Sequence, residues 1–288
     1  MTDTKTMDVE TMDENKSPQM APPNAKWNTK NLIPRLATDA TAAIASAVTV
    51  APLITIIDKS IMENASGRAS IKESLRESLR SLILSPKSMF SSKPFGLICM
   101  VYGGTYLIAN TLDTITSTVT AKEATLVTSG TLKFAASSAA NTGLSLIKDR
   151  KFAQLFGPGG PPRPVPIPSM ALFALRDCMT IFASFNIPPL IGPSISRHIG
   201  ELEETISGQT IAQFAAPAAI QLASTPVHLL GLDLYNRSHG EGWRSRASII
   251  WKNWGVSAVA RVCRIVPAFG AGGVINKNVR SKGMAMWA

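Results

Sequence analysis

Four uncharged stretches, Ala40 to Ile57, Pro94 to Leu112, Cys178 to Ser196 and Thr205 to Leu232, are each about as long as the roughly 20 residues that a helix needs to cross a bilayer. Two further stretches have apolar flanks but are broken by charge: Ala124 to Ile147 contains Lys133, and Gly255 to Asn276 contains Arg261 and Arg264. A soluble domain rarely needs so many runs of this length. Only 17% of the residues are charged, in keeping with a membrane protein. Ionised side chains inside such spans face a bundle interior or a water-filled cavity rather than lipid.

The runs come in pairs, and each pair contains an acid set among bases: Asp58 in Ile-Ile-Asp-Lys-Ser, Asp149 in Ile-Lys-Asp-Arg-Lys and Asp233 in Gly-Leu-Asp-Leu-Tyr-Asn-Arg. Their spacing of roughly 85 to 90 residues is longer than the period of most solenoid repeats. The expectation is an all-α membrane protein of six transmembrane helices, arranged as three repeated helix pairs around a central path. The repeats span residues 34–118, 119–200 and 201–288, preceded by a polar, disordered N-terminal tail over residues 1–33.

Charge follows the same period. The segments after each acid, Asp58 to Lys93, Lys148 to Pro168 and Asp233 to Lys252, are net basic, whereas Asp113 to Glu123 and Arg197 to Glu204 are net acidic. Under the positive-inside rule one face of the membrane receives all three basic segments. A nucleic-acid binder would gather its bases on one groove or stripe instead, so no nucleic-acid partner is expected. Cys99, Cys178 and Cys263 lie in the predicted spans without metal-ligand spacing and read as buried thiols. The tail has neither a secretory signal core nor an Arg-rich presequence, which leaves any targeting information internal.

Pro52 sits late in the first run and is expected to kink it. After it, Ile71, Leu75, Leu79, Leu82 and Ile83 recur at helical spacing among Lys72, Glu73, Arg76, Glu77 and Arg80, the pattern of an amphipathic helix lying on a membrane surface. The Pro-rich stretch from Gly157 to Pro168 reads as a stiff extended connector. Trp243, Trp251 and Trp254 among Arg244, Arg246 and Lys252 suit the headgroup interface. Gly103-Gly104 and Gly270 to Gly273 read as close-packing sites between helices, because no Gly-Lys-Ser/Thr sequence of a phosphate loop follows either. Nothing resembles a catalytic triad, a metal cluster or a dinucleotide fingerprint, so neither enzymatic activity nor a cofactor is expected.

Trp251-Lys252-Asn253-Trp254-Gly255 leading into Arg261-Val262-Cys263-Arg264-Ile265-Val266-Pro267 resembles the sixth helix of the mitochondrial carrier family, with its Arg-x-x-Arg-x-x-Pro. Leu175-Arg176-Asp177 is similar to the Arg-Asp pair on the fourth helix of those carriers, and Ser224-Thr225-Pro226 stands where they have a kink proline. The family's Pro-x-acid-x-x-base signature is missing from every repeat: Ile54 and Ile57 follow Pro52, His228 and Gly231 follow Pro226, and Asn141-Thr142-Gly143 stands where the second proline belongs. Asp58 with Lys59, Asp149 with Lys148 and Arg150, and Asp233 with Arg237 lie about one turn further on. They are expected either to form a displaced gate ring or to remain solvated helix-end charges. The even-numbered helix ends, at Asp113, at Ser194 to Arg197 and at Lys277 to Arg280, match the family's opposite gate poorly.

The resemblance implies exchange of a small anionic metabolite across the mitochondrial inner membrane, by alternating access and as a monomer, with the lipid bilayer as the other partner. Arg176, Arg264, Arg261, Lys133 and His228 are the expected substrate contacts, since guanidinium groups grip carboxylates in bidentate fashion. Alternatively, Asp177 neutralises Arg176 and the two later arginines pair with carbonyls or headgroups. A transport-inactive carrier-fold protein, acting as a structural or interaction component of a mitochondrial membrane, is the other reading of the broken signature.

Overall fold

The computed structural model describes residues 27–287 except positions 129, 160, 162, 200–206 and 238–241. Residues 1–26 of the expected tail over residues 1–33, part of the acidic 197–204 segment and two positions of the Pro-rich connector therefore lie outside the described residues, and the last two residues of that tail, Leu32 and Ile33, already belong to the first helix.

The long helices are α1 (Leu32–Ala65), α4 (Lys93–Val119), α5 (Thr131–Phe156), α6 (Ile167–Ile199), α7 (Gly208–Asn236), α8 (Trp243–Cys263) and α9 (Gly272–Ala285). Two further helices, α2 (Ile71–Leu84) and α3 (Pro86–Phe90), connect α1 to α4. A π-helical segment, Val266–Ala271, joins α8 to α9, so Trp243–Ala285 forms a continuous run of 43 residues.

The all-α expectation agrees with this architecture, in which four of the expected spans stand out among the described residues. Four helices are long and apolar enough to cross a membrane by length and composition: Leu32–Ala65, Lys93–Val119, Ile167–His198 and Trp243–Ala285. The other two expected spans correspond to α5 and α7. Charges at Lys133, Lys148, Asp149, Arg150 and Lys151 lower the hydropathy of α5, and Gln213, Gln221, Ser224 and Thr225 dilute that of α7.

The polarity of the bundle is the reverse of a soluble protein's. Ile44, Phe182, Phe185, Leu190, Val259 and Val274 are exposed, while Arg35, Asp39, Asp58, Asp149 and Arg176 are buried. An apolar exterior around an ionised interior is stable where lipid replaces water outside. The outward position of Cys178 and Cys263 follows from the same arrangement and corrects the expectation of three buried thiols; Cys99 is half-buried.

Small residues set the helix spacing. Ala42, Ala43, Ala47 and Ala51 form a buried face on α1, and a Cβ built on Gly103 of α4 would touch Ala47. Gly104 lies against Leu144 of α5, and Gly272 of α9 lies against Tyr106 and Val50, so these glycines act as the expected close-packing sites. Gly192 and Gly208 bring α6 and α7 together, with Gly208 against the backbone of Ser196. The apolar core, including Ile54, Phe95, Phe152, Phe173 and Leu232, gathers toward the C-terminal ends of α1, α5 and α7.

Both α1 and α7 run through Pro52 and Pro226 without a break. Prolines are tolerated within spans because surrounding helices and side chains satisfy the freed backbone groups. At its far end α1 stops at Gly67, whose φ of 76° lies in the left-handed region that glycine occupies at no steric cost. A capping box then starts α2: the Ser70 hydroxyl accepts the Glu73 N–H and the Glu73 carboxylate accepts the Ser70 N–H. The amphipathic helix is present, with Ile71, Ser74 and Ser78 facing inward and Leu79, Ile83 and Leu84 exposed. Its serines meet the bundle, and its leucine-rich edge faces outward.

Candidate functional site

Asp58, Asp149 and Asp233 stand within the last two turns of α1, α5 and α7. An acid near a helix C-terminus is disfavoured by the helix dipole and, when buried, needs a cationic partner. Each has one. Asp58 Oδ2 lies 2.8 Å from Lys148 Nζ of α5, and Asp58 Oδ1 lies 2.7 Å from Arg264 Nη1 at the end of α8. Lys148 Nζ also lies 2.7 Å from Asp149 Oδ1, and Asp149 Oδ2 accepts from Arg176 Nη2 of α6 at 2.6 Å. Arg176 continues the chain to Asp177 at 2.7 Å and to His228 Nδ1 of α7 at 3.4 Å. Because arginine can only donate, His228 Nδ1 is the acceptor and the ring proton sits on Nε2.

The result is one buried network that links α1, α5, α6, α7 and the end of α8. Around it the helix ends are tied by backbone acceptors: Ser66 donates to the Phe156 carbonyl, Arg68 to the Leu155 carbonyl and Asn236 to the Ala65 carbonyl. Arg163 of the extended connector donates to the Tyr235 carbonyl, so the Pro-rich segment closes over the same end. Asp233 pairs locally, with Arg237 one turn on and with Arg246 of α8.

Arg261 differs from its neighbours. It is 2% exposed, and its Nε donates to Gln221 Oε1 of α7 at 2.9 Å. Among the described residues no carboxylate pairs with it. A buried guanidinium without a counter-ion is costly unless an anion or water meets it. Arg261 lines a central cavity together with Asp58, Lys148, Arg176 and His228. That cavity measures about 10 Å³ at water centres, room for about one water molecule. Asp177 Oδ2, also buried, has no hydrogen-bond partner among the described residues.

A second network closes around the opposite ends of the helices. Arg280 Nε of α9 lies 2.8 Å from Asp39 Oδ1 of α1, whose other oxygen accepts from Thr114 of α4. Asp113 of α4 takes Lys133 of α5 at 2.8 Å. Asn110 and Asn276 exchange two hydrogen bonds at 2.9 Å between α4 and α9, and Arg35 of α1 donates to Ser117 and to the Asn28 carbonyl.

Of the residues expected from sequence, Arg176, Arg261, Arg264 and His228 meet near the centre with Asp58, Lys148 and Asp149. Lys133 does not join them, because α5 begins at the other end of the bundle. Lys59 does not serve Asp58: consecutive helical residues point apart, and Lys59 Nζ lies 3.7 Å from Glu63 instead. Arg150 is exposed. Sequence reasoning missed Gln221 as the partner of Arg261, and it missed Arg35 and Asp39. The i, i+4 spacing of those two at the head of an apolar helix was the available signal.

Residues 42–284 match the model of a family described as "Probable citrulline exporter". The chain belongs to this family. It is a different family from the mitochondrial carriers, and the resemblance drawn from the Arg-x-x-Arg-x-x-Pro and Arg-Asp motifs is corrected accordingly. Those motifs are a few residues long, and buried arginines in a helical bundle need acid partners in any family. Membership in the exporter family makes this a membrane protein that moves a small metabolite, in keeping with its four helices long and apolar enough to cross a bilayer. No curated protein matches the chain.

Proposed function

We propose that the chain carries citrulline, or an amino acid of the same zwitterionic form, through the centre of the bundle by alternating access. The match to the exporter family over residues 42–284 carries this reading, and Arg261, with which no carboxylate among the described residues pairs, supports it. Citrulline at neutral pH presents a carboxylate, an ammonium and an uncharged ureido group. The carboxylate suits Arg261. The ammonium suits the acids at the same level, Asp58 and the unpartnered Oδ2 of Asp177. The planar ureido group, both donor and acceptor, suits His228 and Gln221. The expected anionic metabolite thus becomes a zwitterion with one anionic end.

Arg176 and Arg264 are engaged with acids and reach the substrate as the network opens. The cavity is too small for an amino acid, so loading requires the helices to separate, a change that substrate drives by favouring the open or occluded form. Asp58, Lys148 and Asp149 form the gate on this side, and Asp233 with Arg237 braces it. Pro52 and Pro226, which weaken the hydrogen-bond ladders of α1 and α7, are the places where those helices bend on opening. In this reading α5 and α7 complete six crossings in three helix pairs, over residues 34–118, 119–200 and 201–288, and a single chain supplies every group around the path. The mitochondrial inner membrane was an expectation drawn from the carrier motifs and has no part in the proposal.

A binding assay tests the substrate class. Citrulline should raise the melting temperature of the purified protein, citrulline methyl ester should not, and Arg261→Gln should abolish the response. Equal shifts from citrulline and its ester would remove Arg261 from the carboxylate site.

A further inference from the structure

A second cavity, of about 180 Å³, lies outside the ion network between α1, α2, α3, the start of α4 and the end of α5. Its polar lining consists of Thr55, Lys59, Ser78, Ser81, Ser88 and Ser92. Among the described residues no carboxylate lines it.

Two of these hydroxyls are buried and unsatisfied. Thr55 and Ser78 are 2% and 5% exposed, yet neither hydroxyl oxygen has a hydrogen-bond partner among the described residues. Serine and threonine in a span ordinarily bond to the carbonyl one turn back, as Ser46, Ser60 and Thr105 do here. Leaving a buried hydroxyl unpaired costs free energy, and two such groups facing one cavity point to a ligand that satisfies them.

The chemistry of that ligand follows from the donors. Five residues with hydroxyls and one lysine line the space, and the Ser92 hydroxyl already accepts the Phe95 N–H, which leaves its proton free to donate. The cavity also opens at the N-terminus of α4, a helix of 27 residues whose dipole favours an anion there. Lys87 and Lys93 are exposed nearby in sequence and add positive charge to the approach. Ile56, Met89 and Phe156 supply apolar walls that limit competition from water. We propose that this cavity binds a phosphate group, held by Lys59 and the serine and threonine hydroxyls.

The site also accounts for the position of Lys59. One residue along from Asp58, it lies off the central path in the lining of this cavity, and its ammonium stands 3.7 Å from Glu63. The phosphate could arrive as the headgroup of an anionic lipid or as a free ion, and the same chemistry serves both. The exposed Leu84 and Phe90 lie along the chain just before the cavity's Ser88 and Ser92 linings or between them, on the apolar exterior.

The test uses the full chain in neutral detergent and follows its melting temperature. Inorganic phosphate is titrated against chloride at equal ionic strength, and micelles containing phosphatidylglycerol are compared with micelles containing phosphatidylcholine. The melting temperature should rise with phosphate, with phosphatidylglycerol, or with both. A response to free phosphate identifies a soluble-ion site, and a response to phosphatidylglycerol alone identifies a headgroup site. Lys59→Gln and Ser78→Ala should each raise the concentration needed for half the effect by about tenfold or more. Ser88→Ala, at an exposed position, should weaken binding without touching a buried residue. The absence of a response to either probe, or responses equal in wild type and all three variants, would overturn the site.

Discussion

Lys148 Nζ stands 2.8 Å from Asp58 Oδ2, joining α5 to α1 across 90 residues of sequence. Both side chains are about 5% exposed, and each has a second partner, Asp149 for the lysine and Arg264 for the aspartate. The pair is therefore the centre of a network, and removing one member strands charges on both sides. Asp58→Asn should destabilise the protein by about 3 to 5 kcal/mol, the range for breaking a buried ion pair. Asp58→Asn combined with Lys148→Gln should recover part of that loss, giving a non-additive double-mutant cycle by thermal unfolding in detergent. Strict additivity would show that the two residues act independently.

Gly231 of α7 lies against the ring of Phe173 on α6, where an added Cβ would come within 2.7 Å of the ring edge. Gly231→Ala should cost about 1 to 3 kcal/mol through overpacking. Pairing it with Phe173→Leu should relieve the overlap, and the melting temperatures of the single and double variants would show this directly.

How much of this was readable from the sequence depends on whether the signal was local. The helix over Ile71–Leu84 was legible because its apolar residues recur at helical spacing within fourteen positions. Asp58, Lys148, Asp149, Arg176 and Arg264 could be named as the significant charges because ions in apolar stretches are expensive wherever they lie. Their pairing was not legible. Asp58 binds Arg264, 206 residues away, and no local pattern reports which base reaches which acid. Lys59 misled for the same reason: adjacency in sequence suggested a partnership that helix geometry forbids. The family was misread because short arginine and proline motifs reflect the needs of a buried ion network as much as they reflect ancestry.

The Ser70 N–H and hydroxyl, which both donate to Glu73, hold the Glu73 carboxyl below its ordinary value of 4.5. A carboxyl with a depressed folded-state value stabilises the fold above its unfolded value and loses that contribution as pH falls through the lower, folded one. The start of α2 should thus stay protected at pH 5 and above and fray at more acid pH, as read by amide exchange corrected for intrinsic rates. Ser70→Ala should move the Glu73 titration, followed by carbon-13 NMR, up toward 4.5.

Cys178 and Cys263 lie on the apolar exterior of two candidate spans. A thiol in lipid is shielded from polar reagents. In proteoliposomes both should resist a charged maleimide and then react once the membrane is dissolved and the chain denatured. Rapid labelling in intact proteoliposomes would place α6 or α8 in water.

At the opposite ends of the helices, Arg280 and Asp39 join α9 to α1 at 2.8 Å, both nearly inaccessible. Arg280→Gln leaves Asp39 with Thr114 as its remaining partner and should lower the melting temperature, with a loss of about 3 kcal/mol or more. Under alternating access it should also raise the leak of substrate from preloaded liposomes, because one of the two closures is weakened. An unchanged leak rate would assign the network to stability alone.

The central claim is that this chain moves a zwitterionic amino acid past Arg261. The most direct measurement is uptake of radiolabelled citrulline into liposomes that contain the purified protein and are preloaded with unlabelled citrulline. The account predicts saturable uptake that unlabelled citrulline competes away and that Arg261→Gln abolishes, with Lys133→Gln retaining the same substrate preference. Uptake no greater than that of protein-free liposomes, or saturable uptake unaffected by Arg261→Gln, would contradict it.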